Sequence, residues 1–68
     1  MKYVVVIEKA NRNYSAYVPD LPGCVAAGDT VAEVTELMRV AIKMHIEGMI
    51  EDGLEVPAPT SSIEYIAA

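Results

Sequence analysis

The sequence contains no tryptophan, no phenylalanine, one histidine and one cysteine. A single cysteine, Cys24, excludes an intrachain disulfide, and a small domain without a disulfide framework suits a reducing, cytoplasmic compartment. Cys24 and His45 together fall short of the four ligands of a closed zinc site within one chain, so no metal and no cofactor is expected. A nucleophilic Cys–His pair needs a base within hydrogen-bond reach and a third group to orient it, and the spacing supplies neither. Cys24 therefore reads as a buried packing residue and His45 as a packed or interface histidine, with no catalytic residue among them.

Positive charge is also scarce, with 5 Lys and Arg against 10 Asp and Glu. Nucleic-acid binding needs clustered cations, so direct contact with nucleic acid is not expected. Long apolar runs are missing: Glu8 and Lys9 interrupt the stretch Tyr3 to Ile7, and nothing approaches the ~20 apolar residues of a membrane span.

What the chain does have is apolar content. Of its 68 residues 53% are hydrophobic, slightly above the usual ~45–50%, which argues against disorder. One domain of this length buries only about 60% of its unfolded surface. The apolar surplus points to a homo-oligomer, a dimer or a tetramer.

The order of elements reads as α+β. Residues 2–9 form a strand apolar on both faces, the pattern of a central strand covered twice. Asn11-Arg12-Asn13 makes the turn, and Tyr14 to Val18 returns as a hairpin strand. Two registers are open for this strand; the one with Tyr14, Ala16 and Val18 facing the helix is preferred, because the other puts Ser15 in the core. Pro19-Asp20-Leu21-Pro22-Gly23 is a rigid corner, since two prolines remove donors and Gly23 admits positive φ. Cys24 to Ala27 is a short third strand. Thr30 and Glu33 match a capping box, and the helix runs from Val31 to about Asp52 with Gly53 as its terminator. Val34, Leu37, Met38, Ala41, Ile42, His45 and Met49 share one helical arc, with Val40, Met44, Ile46 and Ile50 at its margins or beyond. Pro57 and Pro59 keep residues 55–60 extended, and Ile63 to Ala67 reads as a fourth strand. A right-handed crossover then lays that strand parallel to the first. The expected architecture is β-β-β-α-β: a four-stranded mixed sheet of order 3-2-1-4 with one helix on one face.

Charge carries the functional signal. Residues 1–43 hold every cation and balance them with anions, whereas Glu47, Glu51, Asp52, Glu55 and Glu64 follow with no cation. Acid at a helix C-terminus opposes the macrodipole, so local helix stability does not ask for it. Glu47, Glu51, Asp52 and Glu55 are either a solvated helix end or an electrostatic surface for a basic partner. An apolar sheet face with Val4, Val6 and Tyr17, joined by Met44 and Ile50 at the helix margin, is the expected oligomer contact. Glu8, Glu36 and Glu64 are the candidates for a relict two-metal nuclease site, but Glu36 points away from the arc that covers the sheet.

The order of elements and the residues themselves add a family resemblance. Tyr14-Ser-Ala-Tyr-Val-Pro-Asp-Leu-Pro-Gly-Cys24, followed by Gly28-Asp29-Thr30 and Glu33, resembles the HicB-like antitoxins. So do His45-Ile46-Glu47-Gly48, Glu51-Asp52-Gly53 and Pro57-Ala58-Pro59. The resemblance implies a truncated ribonuclease-H-like fold without its catalytic carboxylates. It also implies a non-enzymatic role: neutralising a small basic ribonuclease toxin, HicA, that has a double-stranded-RNA-binding-like fold. Residues 1–68 are read as a single HicB-like domain without the C-terminal DNA-binding domain that many such antitoxins carry.

Overall fold

A computed structural model describes all of residues 1–68. Three short strands, β1 (Val6–Lys9), β2 (Tyr14–Tyr17) and β3 (Val25–Gly28), precede one helix, α1 (Val31–Glu51). The sheet is antiparallel throughout, in the order β1-β2-β3. α1 packs chiefly over β2 and β3, giving two layers, consistent with a least dimension of 16 Å.

The hairpin forms as its turn chemistry requires, with the Ala10 amide donating to the Asn13 carbonyl at 2.8 Å. Ala16 and Val18 are buried and Tyr14 packs against them, so the register is the one that keeps Ser15 out of the core. β1 is shorter than residues 2–9. Continued past Val6↔Tyr17, the next position of β2 whose amide would point toward β1 is Pro19, which has no amide proton.

The corner after β2 is built by three backbone bonds. Val18 donates to Cys24, Leu21 to Val18, and Cys24 to Leu21, at 3.1–3.2 Å. Gly23 takes φ +84°, a left-handed conformation that disfavours any side chain. This geometry drives Leu21 inward to full burial. With Ala16, Val18, Cys24, Val34 and Met38 it forms the core.

α1 starts where Thr30, in an extended conformation, accepts the Glu33 amide on its hydroxyl oxygen at 3.0 Å. The return bond from the Thr30 amide to the Glu33 carboxylate is not made, so only one half of the capping box forms. Gly28 is glycine because β3 runs into the helix start: a Cβ there would lie 3.1 Å from the Val34 nitrogen. At the other end Gly53 (φ +73°) donates to Ile50 and Leu54 donates to Met49. That pair of bonds is a Schellman closure, and it stops the helix where the sequence places its terminator.

Two expectations fail. β1, apolar on both faces, is an edge strand rather than a central one. No fourth strand exists, so the mixed four-stranded sheet of order 3-2-1-4 is not formed, and three antiparallel strands with one helix do not by themselves show the truncated ribonuclease-H-like architecture. The reason lies in how the tail is held. Pro57 and Pro59 have no amide to offer a ladder. The Tyr3 hydroxyl donates to the Pro57 carbonyl, and Asp20 captures Thr60 and Ser61. Past those tethers the chain leaves the sheet, with Tyr65 94% and Ile66 88% exposed.

Candidate partner-binding surface

Glu47, Glu51, Asp52 and Glu55 are all exposed, on the last turns of α1 and the residues just beyond it. The last turn holds no basic residue. The one ion pair of the chain joins Arg39 to Glu36 at 3.0 Å on the surface, so none of these four carboxylates is neutralised. The C-terminal carbonyls of α1 add partial negative charge at the same place. The result is an acidic end whose field is uncompensated within the chain, disposed to attract a cationic surface.

The five residues expected at an oligomer contact separate onto different surfaces. Val4 and Val6 are half-buried, and Tyr17 lies directly across from Val6 on the sheet face turned away from α1. Val25, missed in the sequence reading, extends this row from the other side of Tyr17 and is 64% exposed. The strand alternation of Val25 and Ala27 against Cys24 and Ala26 carries that signal. Met44 and Ile50 are exposed on α1, about 120° apart around its axis at 3.6 residues per turn. Leu37 belongs with Met44 rather than with the core: it is 43% exposed, while Ile46, read as marginal, packs against the core.

Asp20 has a role the sequence reading did not assign. Its Oδ2 accepts the Thr60 and Ser61 amides, each at 3.1 Å, and its Oδ1 accepts their hydroxyls at 2.8 and 3.1 Å. These donors hold its carboxyl below the usual range, the Ser61 amide contributing most, then the Thr60 hydroxyl. The neighbouring residues of the corner, Pro19, Leu21, Pro22 and Gly23, shape the turn and supply the core residue; none offers a reactive group. The Thr60-Ser61 hydroxyls after a proline run were the only trace of this clasp in the sequence, and nothing there pairs them with Asp20.

The other candidate chemistry stays apart. Cys24 is buried and unpaired, and burial pushes its thiol up, away from a reactive thiolate. His45 is half-buried on α1. No three His, Cys, Asp or Glu side chains converge as a metal-binding group, and Glu36 is engaged by Arg39 rather than by Glu8 or Glu64. No helix is long and apolar enough to cross a membrane.

Comparison with known proteins places this arrangement. Residues 3–68 match the family model of the HicB-like antitoxins of bacterial toxin–antitoxin systems. The chain belongs to that family. It is 47% identical over 66 residues to an uncharacterised 14.9 kDa protein of Haemophilus phage HP1, covering 97% of this chain and 50% of that protein. The chain thus spans about half the length of that phage relative. A UPF0150 protein of Archaeoglobus fulgidus is 38% identical over 56 residues, covering 78% of this chain and 81% of the relative. Among solved structures, a chain of the HicA3 and HicB3 toxin–antitoxin complex superposes with a TM-score of 0.75 at 32% identity, covering 88% of this HicB-like chain and 70% of the solved one.

Proposed function

We propose that this chain is the binding domain of an antitoxin that neutralises a small basic ribonuclease of the HicA type by occluding it, without chemistry of its own. Family membership and the likeness to a chain of a HicA–HicB complex support the class of partner. The observation that carries the reading is the acidic end of α1. Glu47, Glu51, Asp52 and Glu55 have no cationic partner and sit where the helix macrodipole makes negative charge unfavourable. A surface kept acidic against local stability suits a basic partner, whose encounter it steers and orients.

The same protein acts as a homo-oligomer, a dimer or a tetramer, in the cytoplasm of its host. The row Val6–Tyr17–Val25 on the uncovered sheet face supplies the apolar contact, since one helix covers only one face of a sheet. Nucleic acid is not a direct ligand of these 68 residues, whose charge is −5.

Co-expression with a HicA-type toxin tests the antitoxin role. The chain restores growth, and the double charge reversal Glu47→Lys, Glu51→Lys lowers the affinity and flattens its salt dependence. Reversed charges that leave both unchanged refute the electrostatic part of the reading.

A further inference from the structure

Resting on the antitoxin reading above, we propose that one flank of α1, formed by Leu37, Ala41, Met44 and Gly48, seats a helix of the basic partner, with Gly48 as the point of closest backbone approach.

The four positions recur at spacings of four, three and four residues, the stripe that meshes with a second helix. The fold uses only the inner edge of this stripe, where Ala41 packs against the core and Gly48 is half-buried. Val34 and Met38 face the sheet and are buried, whereas Leu37 is half-exposed and Met44 is 65% exposed. Gly48 is the anomaly. It lies inside α1, its φ is not positive, and a Cβ there would meet nothing within 4 Å. Glycine in a helix interior is less stable than alanine, and nothing within the chain asks for it here. A missing Cβ on an exposed helix flank lets another backbone come closer than any side chain would allow.

Charge selects the occupant. The flank is bordered by Glu47 and Glu51, with Lys43 one turn before Glu47, while Arg39 lies on the opposite flank of α1. A second copy of the chain fits badly. An antiparallel pairing that sets Leu37 against Gly48 and Ala41 against Met44 also sets Asp52 against Glu33. A parallel pairing sets Glu47 and Glu51 against their own copies. Both bring like charges together, whereas a basic helix meets apolar stripe and acidic border at once.

The experiment titrates an inactive HicA-type protein into the intact chain and its variants by calorimetry. Gly48→Ala is expected to raise the melting temperature yet weaken binding at least about tenfold, the scale of a central interface contact. No purely structural role moves those two readouts in opposite directions. Met44→Lys is expected to weaken binding as strongly, and Arg39→Ala, on the opposite flank, to leave it within about twofold. Wild-type affinity in both Gly48→Ala and Met44→Lys overturns the assignment of this flank while leaving the antitoxin reading intact. A wild-type chain that does not bind at all removes the antitoxin reading, and this inference with it. A wild-type dimer in light scattering that Met44→Lys turns into a monomer gives the flank to a second copy and overturns the inference.

Discussion

The Asp20 carboxylate accepts the amide of Ser61 at 3.1 Å, joining the corner after β2 to a segment 41 residues later in the chain. Through Thr60 and Ser61 it is the principal polar tether of the C-terminal segment, assisted by Tyr3 and Pro57.

This clasp depends on an ionised carboxylate. Its folded-state pKa lies below the ordinary value of 3.8, chiefly through the Ser61 amide. A depressed carboxylate stabilises the folded state above the unfolded pKa, and the contribution is lost as pH falls through the folded value. The protection of the Thr60 and Ser61 amides, measured by NMR exchange relative to the intrinsic rate at each pH, is therefore expected to persist at neutral pH and to be lost only below pH 3.8. Asp20→Asn, with one acceptor oxygen in place of two, is expected to show the reduced protection at every pH. Equal protection in both proteins means that other contacts hold the tail.

Leu21 is fully buried within the corner that presents it. Leu21→Ala is expected to cost about 2–5 kcal/mol in denaturant unfolding, the range for truncating a core leucine. In a domain of this size that is enough to leave much of the chain unfolded at 37 °C. A loss under ~1 kcal/mol places Leu21 outside the cooperative core.

Gly53 and Gly28 are glycine for different reasons, and alanine separates them. Gly53→Ala places a Cβ in the left-handed region at φ +73°, costing about 1–2 kcal/mol and fraying the last turn of α1. Gly28→Ala brings its Cβ to 3.1 Å from the Val34 backbone, so its penalty falls on the packing of β3 against the start of α1. Circular dichroism and chemical shifts are expected to place the first effect at residues 49–54 and the second around residues 28–34. Perturbations in the reverse places contradict both accounts.

Reversing charge at Glu47 and Glu51 separates binding from folding. Lysines in the last turns of α1 favour the macrodipole by about 0.3–1 kcal/mol each at low salt. The double variant is expected to melt higher than the wild type at low ionic strength while binding a basic partner less well. A lower melting temperature shows that the acids support the fold.

The uncovered sheet face yields the last expectation. Tyr17→Ser with Val25→Thr removes apolar area from the row Val6–Tyr17–Val25 without touching the core. Light scattering is expected to show a smaller oligomer at equal concentration, with far-UV dichroism unchanged. An unaltered mass places the oligomer contact elsewhere.

What was legible in the residues is what short-range chemistry decides. Thr30 and Gly53 bound α1 to within a residue of where it begins and ends, because a cap acceptor and a left-handed terminator act within one turn. Pro19, Pro22 and Gly23 mark the corner, and the Ser15 argument favours the register that forms without excluding the other, because a one-residue slip inverts every side chain of a strand. Val25 was overlooked although the same alternation marks it. Leu37 was assigned to the core because a helical arc has no sharp edge; only the position of the sheet beneath α1 shows which margin is covered.

The amino-acid sequence by itself determined the three antiparallel strands, the helix with its limits, the buried Cys24 and the acidic end of α1, since each rests on neighbours a few residues apart. The tertiary structure alone decided that β1 lies at an edge, that Asp20 meets Ser61, and that residues 62–68 leave the sheet rather than join it. Those outcomes depend on which distant groups satisfy one another. Pro19, Pro57 and Pro59 have no amide to offer a ladder, and four donors from Thr60 and Ser61 converge on one carboxylate.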